Sequence, residues 1–213
     1  EAHHAHGLGH VITPDLLHAE SEHGEFHVKI GGFTGGRSFF GLKANGGFFG
    51  NTENHGLPNI LGIIYLCDGD TGVPLAVMDS VAISRNRTGA ATAVAACHLA
   101  RPESSTLTVC GAGIQARVQI EALQQVLPIQ DVFVFGRNSQ KVDEFAARCA
   151  AELALNVQST SDIAAAVATS DVVVTCTPAT SPIIEADWVA AGTFIAAVGA
   201  DSPGKQELDP RLI

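Results

Sequence analysis

The sequence predicts an α/β chain in which a doubly wound parallel sheet follows a smaller β-rich domain. Before about Ser80, short apolar runs are separated by glycine clusters. After it, apolar runs alternate with amphipathic helical segments, which is the pattern of βαβ units. Hydrophobic residues make up 46% of the chain and charged residues 16%, which excludes wholesale disorder. We assign residues 1–83 to the first domain and 84–213 to the second.

Charge and hydropathy limit the classes of partner. The 213 residues include 12 Lys and Arg against 22 Asp and Glu, a formal net charge of −10. No basic cluster suited to phosphate neutralisation is present, which argues against nucleic acid or an anionic membrane as partner. No apolar run approaches the ~18–20 residues of a spanning helix, and no signal-peptide pattern opens the chain. We expect a cytoplasmic protein.

The cysteines and histidines show no recognised metal-site spacing, and we expect no metal site. Cys67, Cys97, Cys110, Cys149 and Cys176 are widely spaced without a C-x-x-C pair, so we expect reduced, structural thiols. Seven of the nine histidines fall in the first 27 residues. That segment lacks a period that would bring imidazoles together, and we expect it to be a solvated or incomplete N-terminal region.

The first domain is predicted from four apolar runs. The expected strands are Phe26–Ile30, Ser38–Ala44, Ile60–Leu66 and Val73–Met78. The last two flank a Gly/Asp cluster, which predicts a hairpin turn rather than a calcium loop, because the closing Glu of such a loop is absent. A helix is then expected over Ser84–Ala100, with Ser84 as its N-cap and Arg101-Pro102 at its end.

The second domain alternates strands and helices, and only five strands can be counted. In order, we expect a strand over Leu107–Cys110, a helix over Ile114–Leu127, a strand over Val132–Phe135, a helix capped by Ser139, a strand at Val157, a helix over Asp162–Ala168, and strands over Asp171–Thr175 and Phe194–Val198. Continuously apolar strands are typical of a parallel sheet that is buried on both faces.

A glycine-rich turn follows the first of these strands and opens a helix. Its residues are Gly111, Ala112, Gly113, Ile114, Gln115 and Ala116. Small residues at this spacing permit a tight turn, close approach of backbone amides to a pyrophosphate, and close helix–strand packing. The motif alone is weak, but a strand before it and a βαβ pattern after it favour a dinucleotide site over an ordinary turn.

The second strand of the sheet indicates which dinucleotide is bound. An NAD site usually has Asp or Glu here to hold the ribose 2′-hydroxyl. This chain has Arg137, Asn138 and Ser139 instead, which suit a 2′-phosphate. We expect NADP(H) to be preferred and NAD(H) to be possible; a solvated Arg137 is the alternative. Two further strand ends, Thr175 and Val198-Gly199, are also expected to contact the cofactor.

Three charged residues are candidates for substrate chemistry. Asp201 follows the last strand, at the edge where α/β sheets bind ligands, although an Asp beside Ser-Pro-Gly equally suits a turn. Arg87 and Thr88 fall in the first turn of the helix predicted from Ser84, where amides and a guanidinium can hold an anion; a solvated Arg is the alternative. Lys43 lies in an apolar run, and the periodicity leaves its face open.

This ordered series of motifs resembles the ornithine cyclodeaminase/μ-crystallin family from about Val28 to Ile213. The motifs are Gly41-Leu-Lys43, Asn51, Gly56-Leu-Pro58, Asp70-Thr-Gly72-Val-Pro-Leu-Ala76, Arg87-Thr88, Gly111-Ala-Gly113-Ile-Gln-Ala116 and Val198-Gly-Ala-Asp201-Ser-Pro-Gly-Lys-Gln-Glu-Leu208. The resemblance implies a Rossmann domain with a smaller substrate and dimerisation domain, a homodimer, and NAD(P)-linked chemistry between a 2-amino acid and its imine.

By the same resemblance, Lys43 and Arg87, with Thr88 beside them, hold the substrate carboxylate, and Asp201 handles protons at the amine. The chain departs from the family in three ways. Thr13–Glu25 contains no Arg for a third carboxylate ligand, and Gly89 stands where Ala is more usual. The family chain normally continues well beyond Ile213, so we expect both termini to be incomplete.

Three functions remain open on the sequence. The leading hypothesis is an NADP-preferring reductase or dehydrogenase for a small imino acid or cyclic ketimine, with Lys43 and Asp201 as its catalytic residues. The second is ornithine cyclodeaminase, which reduces and reoxidises its cofactor within one turnover and forms proline and ammonia. The third is a dinucleotide-binding protein with little catalysis.

Overall fold

The computed structural model describes residues 2–34 and 36–213. The chain divides into two compact units, one ending at Ser84 and one running from Arg85 to Ile213. None of the helices within the described ranges combines the length and the apolar character needed to cross a bilayer.

The first unit is built on one antiparallel sheet. Its elements are α1 (Ala2–Gly7), β1 (Val11–Ile12), β2 (Leu17–Ser21), β3 (Gly24–Phe33), β4 (Phe39–Gly47), α2 (Asn51–His55), β5 (Ile60–Asp68), β6 (Pro74–Asp79) and the start of α3 (Ser80–Leu99). Strands β3 to β6 pair in sequence order, and β1 and β2 both pair with β3. The predicted hairpin is confirmed, because β5 and β6 pair antiparallel around a turn in which Asp68 Oδ1 accepts the backbone N–H groups of Asp70 and Thr71.

The two faces of this sheet differ in chemistry. Neighbouring positions on one face, here called the polar face, carry Glu25, His27, Lys29, Lys43 and Asn45. The opposite face, here called the apolar face, exposes large side chains from four strands. Their exposed fractions are 60% for Leu17, 48% for Phe26, 39% for Leu61, 50% for Ile63 and 68% for Val77.

Helix α3 begins at Ser80, not at Ser84 as predicted. Asp79 Oδ1 accepts the N–H of Val81 at 2.7 Å, so the capping carboxylate comes from the last residue of β6. The strand runs into the helix without a Gly or Pro between them, so the boundary is marked by Asp79, a preferred N-cap residue type, and not by a turn. The prediction that Ser84 caps the helix is wrong: Ser84 lies inside it.

The second unit contains the parallel sheet. Its elements are β7 (Thr106–Cys110), α4 (Ile114–Leu123), β8 (Asp131–Phe135), α5 (Ser139–Leu153), β9 (Asn156–Ser159), α6 (Ile163–Ala168), β10 (Val172–Thr175), β11 (Thr180–Ile184), β12 (Phe194–Ala197) and β13 (Gln206–Leu208), with 3-10 turns at Ala186–Trp188 and Pro210–Leu212. The strand order β12-β10-β7-β8-β9 confirms the predicted five-stranded, Rossmann-type sheet. A separate pair, β11 with β13, was not predicted.

The core of this unit lies on both faces of the parallel sheet. Val172 and Val174 pack with the helices α4 and α5 on one face, whereas Val173 packs with Ile184 and Leu208 on the other. This two-sided burial is why β10 is apolar at successive positions. Because the chain leaves β7 and β10 in opposite directions along the sheet, the crevice beyond their carboxyl ends is the expected ligand site of the fold.

Candidate functional site

The turn between β7 and α4 has the geometry that its glycines predict. Gly111 has φ +120°, and a Cβ there would meet the carbonyl oxygen and the sulfur of Cys176 at 3.0 Å. Only glycine adopts that conformation readily and fits that close approach. Gly113 is the extended N-cap of α4, and a Cβ on it would meet nothing within 4 Å. The first glycine therefore makes the turn, and the second leaves open space in front of the helix.

The helix that follows completes a cradle suited to a pyrophosphate. Ala116 is fully buried in the core, which gives the predicted close packing of α4 on the sheet. The first N–H groups of a helix have no partner within it, and the helix dipole favours an anion at that end. The turn and the start of α4 therefore fit a dinucleotide phosphate. Gln115 Oε1, which is buried beside the turn without a partner among the described residues, is an acceptor and so suits a donor such as a ribose hydroxyl, not the phosphate.

The loop after β8 carries the residues predicted to select the cofactor. Arg137 is exposed, and no acidic residue stands between Phe135 and Ser139. Asn138, not Ser139, is the N-cap of α5: its Oδ1 accepts the N–H of Lys141 at 3.0 Å. The capping prediction for Ser139 is wrong, because Ser139 is already the first helical residue. Arg137, Asn138 and Ser139 are all exposed, but the Asn138 oxygen is engaged by the helix, so Arg137 is the cationic side chain open to solvent in this loop.

One buried carboxylate, that of Glu207, accepts hydrogen bonds from residues that follow or end both β10 and β12; we call Glu207 and these donors the clamp. Glu207 on β13 is 1% exposed, and Thr175 Oγ1 donates to its Oε2 at 2.8 Å. Thr177 donates to Oε1 from both N and Oγ1 at 2.7 Å, and Gly199 N donates to Oε2 at 2.8 Å. The backbone carbonyl of Thr175 accepts the N–H groups of Val198 and Gly199.

This arrangement assigns new roles to three predicted cofactor residues. The Thr175 hydroxyl points to Glu207, so its side chain shapes the site rather than presenting a donor to it. Gly199 has no room for a side chain, because a Cβ would overlap the Thr177 carbonyl oxygen. Val198 is half-buried beside it. Sequence reasoning missed Glu207, since a Glu among polar residues is more typical of a surface.

Cys110 and Cys176 lie near the Glu207 carboxylate, and burial disfavours their thiolate forms. Burial raises the pKa of the Cys176 thiol to about 12, with the nearby Glu207 carboxylate adding to the effect, and burial raises the pKa of Cys110 as well. Cys176 Sγ donates to the Cys110 carbonyl oxygen at 3.2 Å. All five cysteines are free thiols: Cys67, Cys110 and Cys149 are buried, Cys176 is half-buried and Cys97 is exposed.

Asp201 lies in the loop between β12 and β13, beyond the carboxyl end of β12. Its side chain is 70% exposed, and Lys205 Nζ donates to its Oδ1 at 2.6 Å. Sequence reasoning placed a carboxylate here but did not identify its cationic partner. The two side chains are four residues apart in one tight loop, so the ion pair is local.

In the first unit, the structure resolves which way Lys43 points. It stands opposite Lys29 on the polar face, and its Nζ donates to Ser84 Oγ at 3.3 Å. One turn earlier in α3, Ser80 Oγ donates to Asn45 Oδ1 at 2.7 Å. The half-buried ammonium of Lys43 therefore lies beside the first turns of α3, on the polar side of the sheet.

Arg87 and Thr88 do not lie at a helix N-terminus. Since α3 starts at Ser80, both residues are about two turns inside it, and their N–H groups are used within the helix. The prediction of an anion site from free amides is wrong at this place. Arg87 is exposed, so its guanidinium is the group that it offers to an anion, without help from helix amides.

Comparison with known proteins gives one consistent result. The sequence profile of the ornithine cyclodeaminase/mu-crystallin family matches residues 4–213. An L-lysine cyclodeaminase of Streptomyces rapamycinicus is 39% identical over 76% of this chain and 48% of its own length. Three further curated relatives align with 95% to 100% of this chain, which spans only 62% to 64% of their length.

Two solved structures are similar to almost the whole of this chain. An archaeal alanine dehydrogenase dimer with bound NAD has a TM-score of 0.89 at 36% identity, covering 97% of this chain and 62% of that one. The iminosuccinate reductase of Paracoccus denitrificans in complex with NAD+ also has a TM-score of 0.89, at 30% identity, covering 98% of this chain and 64% of the other.

Proposed function

Because the chain belongs to the ornithine cyclodeaminase/mu-crystallin family, we propose that it interconverts a small 2-amino acid and its imine or cyclic ketimine with a nicotinamide dinucleotide, NADP(H) being preferred. The observation that carries the proposal is the turn between β7 and α4, with Gly111 at positive φ and open space at Gly113. The first unit would bind substrate and form the dimer, and the second would bind the nucleotide.

Each candidate residue has one task in the proposed reaction. When bound, the reduced nicotinamide supplies a hydride to the imine carbon. Lys43 and Arg87 bind the substrate carboxylate and so orient that carbon, with Thr88 beside them. Asp201 delivers a proton to the imine nitrogen, which gives the amine, and it recovers the proton when the reaction runs in reverse. Lys205, already hydrogen-bonded to Asp201, orients its carboxylate.

The preference for NADP(H) rests on the end of β8. A 2′-hydroxyl is usually held by an acidic residue there, and this chain has the exposed guanidinium of Arg137. A guanidinium binds a phosphate through two parallel hydrogen bonds. The two solved relatives described above hold NAD, so the preference is a property proposed for this chain.

Calorimetric titration of wild type and Arg137→Met with NADPH and NADH tests the preference. Hydrogen bonds to a charged group are worth about 1.5–3 kcal/mol, so the variant should bind NADPH roughly 10- to 150-fold more weakly. Its affinity for NADH should change little. Arg148→Met, on the exposed side of α5, is the matched control. Tighter binding of NADH than NADPH by the wild type would refute the preference.

A second candidate function is cyclodeamination, which the similarity to an L-lysine cyclodeaminase favours. Two assays separate the candidates. Oxidation of NADPH with pyruvate plus methylamine, pyrroline-2-carboxylate or piperideine-2-carboxylate identifies a reductase. Release of ammonia from ornithine or lysine without net change in NAD(P)H absorbance identifies a cyclodeaminase. Lys43→Met should raise the KM for the substrate in either case. Stoichiometric nucleotide binding with neither activity would leave the binding-protein hypothesis.

A homodimer is proposed through the apolar face of the first unit. Side chains of Leu17, Phe26, Ile63 and Val77 are each about half exposed or more, and monomers rarely leave so large an apolar area open. The archaeal relative is described as a dimer. In sedimentation velocity, wild type should run as a dimer and Ile63→Glu as a monomer. A monomeric wild type would contradict the proposal.

A further inference from the structure

Two imidazoles and a carboxylate converge on the hairpin formed by β2 and β3. His18 pairs directly with His27 across the two strands, and their rings stack at 4.7 Å between centroids. Glu25 lies two residues before His27 and thus on the same face. Glu25 Oε2 lies 3.1 Å from His18 Nε2, and Oε1 lies 3.2 Å from His27 Nε2.

Strand pairing produces this convergence, which the sequence did not predict. The N-terminal histidines show no linear period, but the tight turn between Ser21 and Gly24 folds β2 back on β3 and brings residues 18 and 27 opposite one another. The expectation that no imidazoles are brought together in this segment is therefore wrong for His18 and His27.

We propose that His18, Glu25 and His27 bind a divalent transition metal ion of the zinc type. One nitrogen or oxygen atom from each residue lies within 4.8 Å of the others. A tetrahedral zinc with ligands at about 2.0–2.1 Å needs these atoms about 3.3 Å apart, close to the two imidazole–carboxylate distances seen here. Two imidazoles with one carboxylate suit Zn²⁺, Ni²⁺ or Cu²⁺, whereas Mg²⁺ and Ca²⁺ prefer oxygen ligands alone.

The surroundings allow an ion to enter. The three side chains are 26% to 40% exposed, so a water molecule can complete the coordination. Glu20 stands opposite Glu25 on the same face and adds negative charge. Lys29, the next residue on this face after His27, opposes binding, so we expect moderate affinity.

Calorimetric titration of the protein with ZnCl2, without nucleotide or substrate, tests the site. We expect one ion per chain, and His18→Asn, Glu25→Gln and His27→Asn should each weaken binding by roughly tenfold or more. With Co²⁺, the wild type should show the visible absorption of a tetrahedral site, and the His27→Asn variant should lose it. Circular dichroism of each variant verifies that the hairpin still folds.

The other N-terminal histidines require a matched control, since imidazoles at His3, His4, His6 and His10 can also bind metal ions. A variant with these four replaced by Asn should retain the zinc affinity and the cobalt spectrum. Three outcomes would overturn the proposal. Zinc binding could disappear in this four-histidine variant, it could survive both His18→Asn and His27→Asn, or it could be absent in the wild type. None of these outcomes depends on the proposed enzymatic activity.

Discussion

Replacing Glu207 tests how the site of the parallel sheet is held together. Glu207→Ala removes the acceptor of four hydrogen bonds in a buried position. The two hydroxyl donors can turn to other acceptors, and the Gly199 N–H keeps the Thr175 carbonyl oxygen at 3.1 Å, but the Thr177 N–H is left without an acceptor. A buried donor in that state costs about 1–3 kcal/mol, so the free energy of unfolding should fall by about that amount.

Urea unfolding followed by fluorescence measures this change. Trp188 is the one tryptophan of the chain and packs in the core of the second unit, so its emission reports on that unit. Glu207→Gln should cost less than Glu207→Ala, because its amide oxygen can still accept the Thr177 N–H. Glu103→Gln, in an exposed turn, should stay within about 0.5 kcal/mol of wild type. If Glu207→Ala unfolds at the wild-type urea concentration, the buried clamp is not a stabilising feature.

Two other stability measurements test particular contacts. Gly89→Ala should destabilise the second unit by about 1–3 kcal/mol in thermal unfolding, although Ala has the better helix propensity. The reason is that the new Cβ would lie 2.6 Å from Val118 Cγ1 and 2.9 Å from the Val118 carbonyl oxygen. A higher Tm for the variant would contradict this. Asp171→Asn should cost about 1–3 kcal/mol at pH 7. The amide oxygen can still accept the N–H groups of Ser105 and Thr106, which share Oδ2, but the amide NH2 then faces the Arg101 guanidinium that donates to Oδ1. The hydrogen bonds to the Asp171 carboxylate lower its pKa in the folded state. The stability cost of the substitution should therefore persist above the unfolded pKa of roughly 3.9 and shrink as the pH falls through the lower folded pKa. A cost that stays the same at every pH down to acid unfolding would show that the charge is not involved.

The parallel sheet could be predicted from the sequence because each of its signals lies within a few neighbouring residues. A strand buried on both faces must be apolar at successive positions, as in Val172–Thr175, and glycines mark the turns between elements. The glycine-rich turn was predictable for a similar reason: the backbone at Gly111 needs a glycine, and Gly113 leaves open the space in front of the helix.

What the sequence did not predict depends on contacts between distant residues. The clamp at Glu207 joins three chain segments, and a single acidic residue carries no signal of that burial. The His18–His27 pair depends on the register across a turn. The start of α3 was misplaced because Asp79 ends a strand and caps a helix at once, which hydrophobic periodicity does not reveal.

NADPH titration of Gly113→Val tests the central claim most directly. Gly113 has φ −100° and ψ −173°, a conformation open to any residue, and a Cβ there meets no atom within 4 Å, so the fold should tolerate the change. The valine would occupy the space in front of α4 where a pyrophosphate must lie. The account predicts an unchanged Tm with NADPH affinity at least about tenfold weaker than wild type. A Gly113→Val variant that binds NADPH as tightly as wild type would contradict it.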